Sequence, residues 1–359
     1  MLDLTAVEIY LRDRVSPIAL DLDASSAALQ AAFSDLGQHH WLGLKIPRQW
    51  GGQAIGSEPF QEFQELLARY SGALAFLQAQ HQSASGFLSR SENEGLKREY
   101  LPHMSTGAIA VGVGFSHLRQ AVPPLTALPV AAGFCLNGTI PWITGFGIFQ
   151  SFVGAAVLPD GRAVYGMLPF RSTNQPTGGW IQFSPPLSLA VMSSTNTVTA
   201  TLQEWHLPLD RVLLISPPEA IHQSDRQNVL QHSFYALGSA RAALNLLQQT
   251  SQTRSASFVQ DAYHSLDRQL EHCRRAIYTA SDRSFEERLH LRATAIQLAM
   301  QCAHVAVIAS GGSAISYNHA AQRILREAMM FSVTGQTIAV MAASLKALTK
   351  EYYHPTIAY

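Results

Sequence analysis

The segment Pro141-Trp142-Ile143-Thr144-Gly145 places an aromatic ring and a hydroxyl group two residues apart. In a β-strand, residues two apart point to the same side of the sheet, so Trp142 and Thr144 would share one face. A flat apolar wall and a few hydroxyl or backbone donors are what an isoalloxazine ring needs from a protein. A Trp-Ile-Thr segment on a strand could supply these groups from one face. The alternative interpretation is that Trp142 is an ordinary core aromatic residue.

The other reactive side chains do not form a familiar catalytic motif. Fourteen histidines are scattered from His39 to His354, with no HExxH sequence and no pair three or four residues apart on a helix. The sequence also lacks a GxGxxG after a strand, a P-loop and a GxSxG. It therefore predicts no metal site, and it gives no support to nicotinamide, nucleoside triphosphate or serine-hydrolase chemistry.

Composition and charge limit the possible partners. At 359 residues, with 47% hydrophobic and 14% charged residues, the chain is typical of a globular protein of two or three domains. Lysine plus arginine equals aspartate plus glutamate at 25 each, so no net basic field exists to hold nucleic acid or an anionic membrane. The expected partner is a small-molecule substrate.

The cysteines and the N-terminus favour a cytoplasmic location. Cys135, Cys273 and Cys302 are too few and too widely spaced for a disulfide framework or a paired CxxC zinc site. The first residues carry acidic groups where a signal peptide needs basic ones. The most apolar stretch, residues 293–313, contains two glutamines and a histidine, which predicts an interior helix before a membrane span.

The elements that would position these residues follow the order helices, strands, helices. In Pro59–Ser71 apolar residues recur every three or four positions, which predicts a helix within a helical first part, residues 1–106. Residues 107–222 hold 12 of the 17 prolines and only eight charged residues, and their short apolar segments, such as Phe149–Leu158, predict strands of a covered β-domain. The helical period returns in residues 223–359.

Motifs in this order resemble the acyl-CoA dehydrogenase family. Gly43–Gly52 is similar to the family's GL-x-x-P-x-x-x-GG loop, Leu136–Gly145 to LNG-x-K-x-WITN, and Arg323–Ala328 to the RLLRDA helix. The resemblance implies a mixed α and β fold with an N-terminal helical domain, a small central β-barrel or sandwich and a C-terminal four-helix bundle. It also implies an FAD-dependent oxidoreductase, an acyl thioester substrate and a homodimer or homotetramer.

The resemblance extends to individual flavin contacts. Ser116 stands where the family has a threonine that reaches the flavin ring, although it can equally be a strand residue bonded within its own ladder. Arg254 remains from a motif that binds the flavin pyrophosphate, and a guanidinium fork suits phosphate, although a solvated surface arginine is the alternative. The implied cofactor-binding residues are Phe115, Ser116, Trp142, Thr144, Arg254 and Thr337.

The carboxylate that would remove the α-proton of an acyl thioester is missing. The family carries a desolvated glutamate either just after the RLLRDA helix or on an earlier helix. These positions are Gly335 and Gln231 here, and neither glycine nor an amide takes that proton at neutral pH. Glu327 does not replace it, because its counterpart is an aspartate paired within the helix. Ordinary desaturation is therefore not expected, and no catalytic residue is assigned.

Motifs that would approach the flavin and the acyl-CoA are also altered. The family's E-P-G-A-G-S-D stretch has become His117–Pro123, in a region with an apparent shortening, and an arginine that helps to hold CoA falls at His232. Four polar groups can line a cleft of the family's kind, and two of them, His232 and Tyr235, can donate or accept a proton. Helix-surface and capping roles are the alternatives. The four candidates are His117, Arg119, His232 and Tyr235.

Three functions fit these features. The first is a flavoenzyme with altered chemistry, because relatives without the glutamate include flavin monooxygenases, which need no α-proton base. The second is a catalytically inactive binding or scaffolding protein without flavin, which the altered pyrophosphate motif favours. The third is desaturation with a base recruited from elsewhere. FAD is the expected cofactor in the first, with FMN or no cofactor as alternatives.

Overall fold

The computed structural model describes residues 2–176, 178–254 and 256–349, with the backbone alone at 253 and 254. Two compact units divide the chain, residues 1–225 and residues 226–359. Helices give way to strands between residues 106 and 111, and strands to helices between 216 and 220. The predicted mixed fold of helices, strands and helices is confirmed. The division into three domains stays a prediction, because the strands share a compact unit with the helices that precede them.

Helices form the first part of unit 1. The helix predicted over 59–71 is found as Ser57–Tyr70, with Phe60, Phe63 and Leu67 buried along one side. The hydroxyl of Ser71 then accepts the backbone N–H of Leu74 and caps the next helix. The six helices are α1 (Leu4–Tyr10), α2 (Ala19–Ala24), α3 (Ser26–Gln38), α4 (Ser57–Tyr70), α5 (Gly72–Arg90) and α6 (Glu94–Thr106).

Nine strands of unit 1 form one sheet in the order β6-β7-β8-β3-β2-β4-β5-β9, with β1 paired to β4. The β1–β4 pairing is parallel, whereas β3–β8 and β4–β5 are antiparallel. The strands are β1 (Val111–Gly114), β2 (Leu125–Val130), β3 (Gly133–Ile143), β4 (Ser151–Val157), β5 (Ala163–Pro169), β6 (Thr173–Asn174), β7 (Trp180–Phe183), β8 (Val198–Pro208) and β9 (Val212–Ser216). Helix α7 (Ala220–Gln227) follows.

The sheet is covered by helices, as its low charge predicted. Leu88 of α5 and Met104 of α6 belong to one buried cluster with Val153 and Tyr165 of the central strands. Strand β4 is buried along nearly its whole length, which is typical of a strand covered on both faces. The helices and strands of unit 1 therefore share one core.

Five α-helices make up the core of the described part of unit 2. They are α8 (Ser233–Arg254), α9 (Ser257–Tyr278), α10 (Phe285–Ser310), α11 (Ala320–Val333) and α12 (Ile338–Leu348). Helix α10 packs against the other four, and its Ala295, Ala299 and Cys302 are buried in the unit's core. Burial raises the pKa of the Cys302 thiol to about 12 and that of Cys273 to about 11, so both thiols stay protonated at neutral pH.

One helical stretch in the described part of the chain, Phe285–Ile315, is long and apolar enough to cross a membrane by length and composition. Central helices of globular proteins meet the same criterion. The contacts of α10 with α8, α9, α11 and α12 agree with the interior helix that the sequence predicts.

His81 joins α5 to both α6 and β1. Its Nδ1 accepts the backbone N–H of Val111 at 3.2 Å, which leaves the ring hydrogen on Nε2 to donate to the carbonyl oxygen of Met104 at 3.0 Å. The ring is fully buried, and burial lowers its pKa from 6.5 to about 4. The fold therefore requires the neutral imidazole.

Acid is expected to destabilise the protein through His81. As the pH falls from about 6.5 to about 4, the unfolded chain takes up a proton that the folded protein excludes, so the free energy of unfolding drops by about 3 kcal/mol. Urea unfolding across this pH window measures the loss. His81→Gln keeps a donor and an acceptor without titrating, and should flatten the curve by about that amount. An unchanged slope in His81→Gln would show that another group is responsible.

Candidate functional site

Trp142 and Thr144 lie at the end of β3 in different environments. The Trp142 side chain is 50% exposed, whereas Ile143 and Thr144 are buried. The expectation that both residues share one strand face is wrong, because β3 ends at Ile143 after a register irregularity that begins at Ile140. The indole is therefore available to a ligand, and the core-aromatic interpretation of Trp142 does not describe its environment.

Hydrogen bonds fix the turn after β3. The Thr144 hydroxyl lies 3.0 Å from that of Thr197, and the Gly145 N–H donates to the Thr195 carbonyl oxygen at 2.8 Å. Asn196, with a left-handed φ of 46°, donates its side-chain amide to the Phe146 carbonyl oxygen at 3.1 Å. Several independent contacts thus determine the position of Thr144 and of the strand end that carries the exposed indole.

Phe115 and Ser116 follow β1 and do not continue it. Phe115 contacts Phe87 and Tyr165, with ring centroids 4.8 and 5.6 Å away, so its ring belongs to the core of unit 1. Ser116 is exposed at the start of a short 3₁₀ turn, Ser116–Arg119. The alternative of a hydrogen-bonded strand residue is therefore wrong for Ser116.

The candidates His117 and Arg119 have structural contacts. His117 is buried, its Nε2 lies 2.9 Å from the Ala155 carbonyl oxygen, and burial lowers the pKa of the ring. Arg119 forms a two-pronged ion pair with Asp225, with Nε and Nη2 each 2.7 Å from a carboxylate oxygen. Neither side chain is placed as a freely available ligand group, and nothing in the sequence pattern indicated the Arg119–Asp225 pair.

In unit 2, the two positions at which the family carries its base lie in loops. Gln231 is exposed in a turn before α8, so the expectation that it lies on a helix is wrong. Gly335 lies between α11 and α12 with a left-handed φ of 59°. A Cβ built on Gly335 would overlap the imidazole of His232 at Cδ2 and Nε2. His232 therefore occupies the space that a side chain at position 335 would enter.

Arg292 of α10 holds both loops, and the sequence analysis did not identify it. Its guanidinium donates to the carbonyl oxygens of Val229 at 2.8 Å, Thr334 at 2.7 Å and Gly335 at 3.2 Å. The residue is only 2% exposed. The sequence signal that could have identified Arg292 was an arginine within an apolar helical stretch. A guanidinium charge is buried only when hydrogen-bonding or charged partners accompany it.

The remaining candidates in unit 2 differ in exposure. Tyr235 is buried and stacks on Phe331 at 5.4 Å, and burial raises the pKa of its hydroxyl. The Thr337 hydroxyl accepts the Val340 N–H at 3.2 Å and caps α12. Arg254 ends α8, and its side chain lies outside the described residues.

The acidic residue of the RLLRDA-like helix is engaged, as the sequence analysis expected. Glu327 is fully buried and accepts a hydrogen bond from Arg323, one turn earlier on α11, at 2.6 Å. Such a buried, paired carboxylate is part of the helix packing. Within the described ranges, no three His, Cys, Asp or Glu side chains come together as metal ligands.

Sequence comparison finds similarity over part of the chain. Residues 4–108 match the acyl-CoA dehydrogenase N-terminal domain. Isovaleryl-CoA dehydrogenase of Pongo abelii is 28% identical over 142 residues, which are 38% of this chain and 34% of that protein. The match thus spans about a third of the curated relative's length.

Solved structures resemble the whole chain. Butyryl-CoA dehydrogenase from Megasphaera elsdenii superposes with a TM-score of 0.80 at 16% identity, covering 98% of this chain and 99% of that one. Glutaryl-CoA dehydrogenase from Mycobacterium smegmatis in complex with FADH2 gives 0.78 at 18% identity, covering 98% and 94%. At these identities the likeness establishes the fold.

Proposed function

We propose that this chain, which belongs to the acyl-CoA dehydrogenase family by its N-terminal domain and its fold, is a flavin-dependent oxidoreductase that does not use the family's glutamate. The half-exposed indole of Trp142, beside a turn fixed by hydrogen bonds, carries this proposal. Stacking of a flat ligand ring on the half-exposed Trp142 indole would remove apolar surface from water, so binding of such a ligand would be favourable.

The described residues fit a flavin ring. Trp142 would cover one face and the exposed Ser116 offers a hydroxyl, whereas the buried Thr144, with its hydroxyl against that of Thr197, would act by fixing the strand end that carries Trp142. Thr337 and Arg254 belong to unit 2 and stay predictions of the family resemblance alone. A bound flavin would supply hydride or electron transfer, and the protein would supply binding and orientation. FAD is the proposed form because the structural relative from Mycobacterium smegmatis was solved with FADH2.

The absence of a carboxylate at the family's base positions supports chemistry other than ordinary desaturation. Gly335 has no side chain, Gln231 is an amide, and Glu327 is engaged by Arg323. A monooxygenase-like reaction needs no group that removes an α-proton, and is the form of the proposal that these residues favour. A small acyl thioester is proposed as the substrate because the relatives' names specify CoA thioesters.

An exposed apolar face on helix α12 supports a homo-oligomer as part of the proposal, and a cytoplasmic location is proposed from the cysteine pattern alone. Ile338, Leu345 and Leu348 are 81%, 55% and 58% exposed along this short helix. An apolar face of this kind is costly in water, and a second copy of the chain would cover it as a homodimer or homotetramer.

A flavin-free scaffolding protein is the second candidate. The Arg119–Asp225 pair favours it, because one arginine of the altered E-P-G-A-G-S-D stretch is already neutralised and is not available to a ligand. This candidate predicts that FAD does not bind.

Trp142→Ala is expected to weaken FAD binding roughly 3- to 10-fold, because the indole's contact with the ring is lost, whereas Trp142→Phe should keep most of it. Quenching of flavin fluorescence during titration of the purified protein measures the affinity. Leu128→Ala removes a similarly exposed apolar side chain, 55% against 50%, from the same sheet and should bind FAD normally. Absence of binding by the unmodified protein would favour the scaffolding candidate. Equal binding by Trp142→Ala would place the flavin elsewhere.

A further inference from the structure

A β-bulge turns the Trp142 indole outward. Pro141 and Trp142 of β3 together oppose a single residue of β8, Thr199. The regularly paired residues on either side are Ile140 with Ala200 and Ile143 with Val198. In a regular strand Trp142 would point to the same face as the buried Ile140, because residues two apart share a face. The extra residue in β3 shifts this alternation, so the indole is 50% exposed and Ile143 is buried instead.

Thr199 bridges the bulge with its side chain. Its hydroxyl donates to the Pro141 carbonyl oxygen at 3.0 Å. Its backbone bonds to the opposite side, where the Thr199 N–H donates to the Ser184 hydroxyl at 3.0 Å and the Thr199 carbonyl oxygen accepts the Ser184 N–H at 2.9 Å. Pro141 itself has no N–H to donate. The hydroxyl therefore makes a contact across the bulge that backbone pairing provides elsewhere along the two strands.

The Pro141 carbonyl belongs to the peptide unit that leads directly into Trp142. A hydrogen bond to this oxygen restrains rotation of the planar peptide, and with it the φ of Trp142. On the other side of Trp142, the chain returns to regular pairing and the Thr144 hydroxyl lies 3.0 Å from that of Thr197. The indole therefore extends from a short segment that is held at both ends, and Thr199 holds its N-terminal end.

We infer that Thr199 is a positioning residue for the ligand ring at Trp142. It acts through the peptide between Pro141 and Trp142 and needs no contact with the ligand. Threonine suits this role, because its branched side chain fits a strand and its hydroxyl supplies the one donor that the bulge requires. The inference rests on the proposed function, because the direction of the indole matters to a ligand only if a flat ring binds there.

Fluorine NMR of protein labelled with fluorotryptophan tests the positioning without flavin. The chain has five tryptophans, and the line that Trp142→Phe removes identifies Trp142. Thr199→Val removes the hydroxyl at nearly constant size, and should shift or broaden the Trp142 line more than the other four lines. Thr199→Ser keeps the donor and should leave the Trp142 line close to its original position.

Thr201→Val is the matched control for this spectrum. It makes the same change two residues further along β8, where Thr201 pairs regularly with Thr139, and should leave the Trp142 line in place. An unmoved Trp142 line in Thr199→Val, or an equal shift in Thr201→Val, would overturn the inference.

A double-mutant cycle tests the link from Thr199 to the ligand. Thr199→Val should weaken FAD binding roughly 2- to 5-fold in the unmodified protein, and by less than about 2-fold in the Trp142→Ala background, where the indole is absent. Equal losses in both backgrounds would show that Thr199 acts independently of Trp142, and would contradict the inference. Failure of FAD to bind the unmodified protein would refute the proposed function alone, because the flavin-free spectra decide how Trp142 is positioned.

Discussion

Gly335→Glu is expected to lower the free energy of unfolding by about 2 to 6 kcal/mol. Because the new side chain does not fit the folded structure, the substitution should not restore the family's carboxylate base. The first carbon of the new side chain would overlap the His232 ring. The left-handed backbone at φ 59° adds strain for any residue with a Cβ. Urea unfolding monitored by circular dichroism measures the change.

The double variant separates these two causes. His232→Ala with Gly335→Glu removes the overlap and leaves the backbone strain, so about half of the lost stability should return. Gly147→Glu carries similar strain in open surroundings and should lose only about 1 to 2 kcal/mol. If Gly335→Glu is as stable as the unmodified protein, the proposed relation between Gly335 and His232 is wrong.

Arg292→Ala is expected to destabilise unit 2 by about 3 to 5 kcal/mol, because one substitution removes three hydrogen bonds from a buried, charged donor. The carbonyl oxygens of Val229, Thr334 and Gly335 would lose this donor. Arg292→Lys keeps the charge, but a single ammonium cannot reproduce the planar fork, so an intermediate loss is expected.

Arg288→Ala is the matched control for this prediction. Arg288 lies one helical turn earlier on α10 and donates to one carbonyl oxygen, that of Gln227, at 2.9 Å near the surface. Its loss should cost less than about 1 kcal/mol in the same denaturation experiment. Similar losses for Arg288→Ala and Arg292→Ala would show that the two loops do not depend on Arg292.

Local patterns predicted the elements well. Helix α4 was indicated by its apolar stripe, and strands β4 and β5 by short apolar runs between turns, because these signals depend on neighbouring residues alone. Glu327 was expected to pair within its helix, and Arg323 is its partner one turn away.

Contacts between distant segments were not predictable in the same way. The overlap of His232 with position 335, the three carbonyl bonds of Arg292 and the Arg119–Asp225 pair each join residues far apart in sequence. Gln231 was expected on a helix because some family members carry their base on an earlier helix, whereas α8 begins only at Ser233. Helix ends depend on capping and on tertiary bonds, which a periodic pattern does not record.

The claim that this divergent chain uses flavin can be tested by FAD-dependent stabilisation. Purified protein is unfolded in urea with and without FAD, and its visible spectrum is recorded. A chain that binds FAD should be yellow, with flavin bands that differ from those of free FAD, and should gain about 2.7 kcal/mol in unfolding free energy at about 100 times the dissociation constant. A colourless protein with a free-flavin spectrum and unchanged stability on addition of FAD would contradict the claim.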